Sequence, residues 1–149
     1  MLKHLVLACA AAGFLAASHA PVRAVDPEPV TASPELAPIR ARIKAKDFKN
    51  AAEELFALAR RAQNADIYNL LAFSLRNLGD YDQSALYYRK ALEYDADHKG
   101  ALEYQGELFV KLGDMEKARQ NLARLVTLCP QGCEELDDLR EAIAKAPAK

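Results

Sequence analysis

Residues 68–97 read YNLLAFSLRNLGDYDQSALYYRKALEYDAD, and this stretch returns in altered form 34 residues later. The displacement lays Leu78-Gly79-Asp80 on Leu112-Gly113-Asp114, Tyr68 on Leu102, Ala72 on Gly106 and Leu75 on Phe109. Ser84 then falls on Ala118, Tyr88 on Leu122, Ala91 on Leu125 and Tyr94 on Leu128. Large residues meet large ones and small residues mostly meet small ones over a whole period. A period of this length signals stacked helical hairpins. Tyr68, Leu71, Ala72, Leu75 and Leu78 recur at three- and four-residue steps, so they share one face of a first helix. Gly79 suits the left-handed conformation that closes a helix, and Asp80 has the side chain to cap the next one. Tyr81, Ser84, Tyr88, Ala91, Leu92 and Tyr94 form the stripe of that second helix, and small Ala72 and Ser84 let the two axes approach closely. Gly106, in mid-helix, costs about 1 kcal/mol against alanine and implies a packing reason.

The pattern closely resembles the tetratricopeptide repeat. Tyr68, Leu71, Ala72, Gly79, Asp80, Tyr81, Ser84, Tyr88 and Ala91 occupy the family's positions, with Ala96 where proline is usual. The next repeat carries Leu102, Gly106, Phe109, Gly113, Asp114, Ala118, Leu122 and Pro130, and departs at Gln105 and Leu125, where leucine and alanine are expected. The resemblance implies an all-α, right-handed superhelix of stacked antiparallel helix pairs, and a protein or peptide partner held on its concave surface. Repeat geometry puts Asn69, Phe73, Arg76, Asn77, Glu103, Glu107, Val110 and Lys111 on that surface. Phe73, a large aromatic there, reads either as a binding anchor or as core, and Glu107 and Lys111 have the order for an i,i+4 pair. Some members grip a partner's terminal carboxylate with basic and amide groups. Gly100, Glu103 and Tyr104 stand where those would be needed, so that mode is not expected here.

Upstream, Ala51, Leu55 and Leu58 within Lys49–Arg61 match the second helix of a degenerate first repeat, one residue short around its turn at Asp47-Phe48. Leu36, Ile39 and Ile43 keep helical spacing before it, from a start at Ser33-Pro34-Glu35 through Lys46. Downstream, Leu136, Leu139, Ala142 and Ile143 share one face of Glu134–Ala146, which reads as a helix capping the last repeat's open flank. Its crowded acids, Glu134, Glu135, Asp137 and Asp138, suit a helix start. About three repeats plus this cap fill residues 34–146, and residues 147–149 should fray.

The start of the chain supplies an address. Met1 to His4 is short and basic, Leu5 to Ala17 is apolar, and small residues follow, the plan of a secretory signal peptide over residues 1–24 with cleavage after Ala20 or Ala24. Thirteen apolar residues fall short of the ~20 of a spanning helix, so no integral membrane protein is expected after cleavage. Residues 25–33, with Pro27 and Pro29, read as a disordered leader. Cleavage after Ala24 takes two of the 20 basic residues, Lys3 and Arg23, and none of the 21 acidic ones, leaving a net charge of −3. A periplasmic or secreted protein follows, and no basic face points to nucleic acid.

No catalytic constellation survives the loss of the leader. His98 becomes the only histidine and reads as a solvated turn residue, and Gly79 and Gly113 are single turn glycines rather than a phosphate loop. No cofactor, metal or enzymatic activity is expected. Tyr68, Tyr81, Tyr88 and Tyr94 read as core, while Tyr87 and Tyr104 are less constrained. Cys129 and Cys133, the two cysteines left after cleavage, flank Pro130 and Gly132 between two helices, and an intramolecular disulfide is expected in an oxidising compartment. The leading function is a non-catalytic interaction scaffold in a cell-envelope assembly. Two rivals stay open: a thiol–disulfide module using Cys129 and Cys133, and a self-associating structural subunit.

Overall fold

The computed structural model describes residues 36–147. Seven helices run through them: α1 (Ala37–Lys44), α2 (Phe48–Ala59), α3 (Ala65–Asn77), α4 (Tyr81–Tyr94), α5 (Lys99–Leu112), α6 (Met115–Leu128) and α7 (Glu134–Ala144). No strand occurs among the described residues, so this is an all-α helical repeat fold. The expected leader and the proposed helix start at Ser33-Pro34-Glu35 lie outside them. No described helix is long and apolar enough to cross a membrane.

Each helix packs on the next, and α3 also touches α5, as α5 touches α7. The odd-numbered helices therefore share one side of the stack. Three turns close its hairpins in the same way. Gly79 (φ 85°) and Gly113 (φ 80°) are left-handed. Asp80 N–H returns to Leu75 O at 3.0 Å and Asp114 N–H to Phe109 O at 2.8 Å. The first repeat makes this turn without glycine: Lys46 takes φ 61°, and Asp47 N–H bonds Arg42 O at 2.9 Å. This is why α1 ends at Lys44 rather than continuing through Lys46. A lysine there carries the steric cost of the left-handed region that glycine avoids. Asp80 and Asp114 then cap α4 and α6 by accepting from Gln83 N–H and Lys117 N–H.

The core falls into linked clusters. Leu36, Ile39, Ala51, Leu55, Ile67, Leu71 and Leu75 join α1, α2 and α3, while Leu102, Leu125, Cys129, Leu136 and Leu139 join α5, α6 and α7. Ala72, Tyr88 and Leu108 bridge the middle. The close approach at Ala72 is sealed by Ser84, whose hydroxyl donates to Ala72 O at 2.8 Å. Gly106 has a different reason to be small. A Cβ there would come within 2.6 Å of Leu139 on α7, so the capping helix, not the hairpin partner, occupies the missing side chain's place.

Several core expectations need correction. Leu78 and Tyr94 are about half exposed, both at the C-terminal ends of their helices. Tyr94 lies on the flank of Tyr68, with ring centroids 5.4 Å apart, and its hydroxyl meets Gln63. Tyr87, read as less constrained than the core tyrosines, packs against Phe56 and Tyr68. The capping helix ends at Ala144, short of Ala146.

Candidate functional site

A groove of about 430 Å³ opens on the side shared by the odd-numbered helices. Arg40, Ile43 and Lys44 of α1 form one wall, and Asp66, Asn69, Leu70 and Phe73 of α3 the next. Gly100, Glu103 and Tyr104 of α5 continue it, and Glu134, Glu135 and Asp138 of α7 close the far side. His98 sits at the α3–α5 junction.

The eight residues expected on the partner-facing surface divide between two basins. Asn69, Phe73 and Glu103 line the main groove. Arg76, Asn77, Glu107, Val110 and Lys111 line a neighbouring depression of about 340 Å³ with Ala142. A ridge of paired groups separates them. Arg76 reaches Glu107 at 2.6 Å and donates to Tyr104 O at 3.3 Å. Its guanidinium also lies over the rings of Phe73 (5.3 Å) and Tyr104 (5.5 Å). The expected Glu107–Lys111 pair does not form, because Arg76 on the adjacent helix takes the carboxylate and Lys111 lies over Tyr81 at 5.4 Å. Asn77 turns back onto its own helix, donating to Phe73 O at 2.9 Å.

Phe73 is half-buried and does both things asked of it. It packs on Tyr104 (4.8 Å between centroids) and Phe48 (6.2 Å) while keeping a face in the groove.

The two polar floor residues are another matter. Asn69 and Glu103 occupy the same place in consecutive repeats, and each is only 5% exposed. Asn69 Oδ1 has no hydrogen-bond partner, and no hydrogen bond or ion pair reaches the Glu103 carboxyl among the described residues. Burial, reinforced by Glu107, Asp138 and Glu135 and opposed by Arg76, pushes that carboxyl up to about 8. The same burial raises the Tyr104 hydroxyl, with Glu103 and Glu107 adding to it.

His98 is not a solvated turn residue. It caps α5, with Nδ1 accepting from Ala101 N–H at 3.1 Å, and its Nε2 lies 3.3 Å from Asp66 Oδ1. Arg40 reaches the same carboxylate oxygen at 3.3 Å, linking α1, α3 and α5 along one rim of the groove. The clue was available in the repeat. His98 is 34 residues after Asn64, which caps α3 by accepting from Asp66 N–H at 2.8 Å. The contribution of α7 was also missed, since three of its four early acids face the groove and only Asp137 pairs outward, with Arg140 at 2.7 Å.

Beside the α7 wall of the groove, Cys129 and Cys133 cap the facing ends of α6 and α7. Gly132 is left-handed (φ 89°), the Cα atoms lie 5.8 Å apart and the sulfurs are within bonding distance. Glu135 lies within 4.8 Å of both.

Residues 69–132 match the tetratricopeptide repeat family. No curated protein matches the sequence. Solved structures do match the fold. PcrH in complex with the chaperone binding region of PopD superposes with a TM-score of 0.63 at 19% identity, covering 72% of this chain and 82% of the other. PcrH with the chaperone binding region of PopB gives 0.62 at 19%, covering 72% and 88%. The Yersinia enterocolitica type III secretion translocator chaperone SycD, in an alternative dimer, gives 0.62 at 15%, covering 72% and 82%. At these identities the tetratricopeptide likeness is one of fold.

Proposed function

We propose that this protein is a non-catalytic tetratricopeptide scaffold that holds a segment of a protein partner in the groove between α1, α3, α5 and α7. The observation that carries the reading is the groove itself: a cleft walled by four helices, with an aromatic pair, Phe73 and Tyr104, and buried polar groups at its base. Concave sites with an apolar body and a few fixed polar groups are the usual form of a ligand site. Structures of similar fold hold the chaperone binding regions of PopD and PopB, which supports a chaperone-like hold on a short segment. The basic and apolar start of the chain supports export to the periplasm or medium and a role in an envelope assembly.

In that compartment Cys129 and Cys133 form a disulfide that clamps α7 to the last repeat. So short a loop contributes about 2 kcal/mol through the unfolded chain. A redox role for the pair is the weaker reading, because the Glu135 carboxylate beside the sulfurs repels a thiolate.

Phe73→Ala tests the groove. Loss of a central aromatic contact should weaken partner binding by about 2 kcal/mol while far-ultraviolet circular dichroism stays unchanged. A photo-crosslinker at position 73 should capture the same partner, and one at Glu116, exposed on α6, should not. Unchanged affinity in Phe73→Ala with a lowered melting temperature would assign Phe73 to packing alone. Thiol labelling of the exported protein with and without reductant tests the clamp; two thiols labelled in the untreated native protein would remove it.

A further inference from the structure

We propose that the groove selects an arginine side chain of its partner, the guanidinium bonding the Glu103 carboxylate at the groove floor. The inference rests on the scaffold reading above and names the chemistry of the occupant.

Glu103 is only 5% exposed and lines the groove, and among the described residues no hydrogen bond or ion pair reaches its carboxyl. Buried polar groups are normally hydrogen-bonded, so an outside partner is the natural complement. Two guanidiniums beside the groove are already engaged, Arg76 with Glu107 and Tyr104 O and Arg40 with Asp66.

The surroundings select the sign of the ligand. Glu135 and Asp138 on α7 and Glu107 on α5 surround Glu103 with negative charge and Arg76 on α3 opposes them, while Arg40 and Lys44 stand on the α1 wall of the groove. Burial and these neighbours favour the protonated carboxyl in the empty groove. An entering guanidinium reverses that balance, and the carboxyl gives up its proton to solvent near neutral pH. A guanidinium fits better than an ammonium because its planar fork can bond both oxygens of one carboxylate at once.

The test uses two acetylated, amidated nine-residue peptides of alternating alanine and leucine, one with a central arginine and one with citrulline, its neutral isostere. Calorimetric titration of the intact chain at pH 8 should show the arginine peptide binding about ten-fold tighter, the value of one charge-assisted hydrogen bond. Glu103→Gln should abolish the preference while leaving citrulline binding in place, and Glu116→Gln should keep it. Equal affinities for the two peptides would overturn arginine selection and leave the groove reading standing. A preference that survives Glu103→Gln would overturn the assignment to Glu103. Failure of both peptides to bind would overturn selection and groove reading together, and unchanged citrulline binding in Phe73→Ala would overturn the groove reading alone.

Discussion

The α3–α4 and α5–α6 hairpins are built on one template, yet they answer different neighbours. In the first, Ala72 and Ser84 let two axes meet, Ser84 bonds across the contact, and Ala91 packs beneath Tyr68 and Ala101. In the second, the equivalent residues are Gly106, Ala118 and Leu125. One position has shrunk and another has grown, and both changes face α7. Leu139 fills the space left by Gly106, and Leu125 reaches into the same cluster with Leu136 and Leu139. The final hairpin is thus not a decayed copy of the one before it. Its departures are the imprint of the helix that covers it.

The largest effect should come from removing that imprint. Leu139→Ala should lower stability by about 3 kcal/mol in urea unfolding, since Leu139 is fully buried. Gly106→Leu should cost about 2 kcal/mol by overpacking against Leu139, and less in the Leu139→Ala background, where space has been made. If the two changes simply add, α7 does not fill the glycine's place. Next comes the Asn69/Glu103 pair. The Glu103 carboxyl sits at about 8 in the fold against an ordinary 4.5, so the folded state holds the extra proton between those values. Wild-type stability should therefore fall as pH rises through that window and level off above it. Glu103→Gln should flatten the profile, gaining on the order of 2 kcal/mol at pH 9 and nothing near pH 4, the full shift being discounted where the carboxyl meets the groove. A profile unchanged by the substitution would remove the buried charge from the account. Ser84→Ala is the smallest, about 1 kcal/mol for one buried hydrogen bond. The reverse change, Ala118→Ser in the other hairpin, should not repay it with a gain of that size.

Most of the stack was legible because each turn and crossing is written locally. Gly79, Asp80, Gly113 and Asp114 take the conformations and caps that their residue types favour. What escaped was set by neighbours more distant in sequence. Glu107 has Lys111 four residues on, but Arg76, 31 residues earlier, wins it because its guanidinium is held over the rings of Phe73 and Tyr104. His98 read as solvent-facing because its partner, Asp66, lies 32 residues away. The early acids of α7 satisfy a helix-start rule completely, and nothing in that rule tells which of them look across at α5. The left-handed Lys46 was hidden for another reason: no residue type announces it, and only the missing position in the first repeat hints that its turn is differently made.

Because the main contacts of each described helix are with its nearest and next-nearest neighbours, the stack has no single centre that must form at once. Its cooperativity is closer to that of a short row of coupled units than of a globule. Opening should begin at an end and travel inward, so the amide hydrogens of α3 and α4 should exchange last. The link between Cys129 and Cys133 would then act as a latch on one terminus of the row. Reducing it should speed exchange in α7 first and leave α3 and α4 almost unaltered, giving this protein two separable rates of opening from one continuous stack.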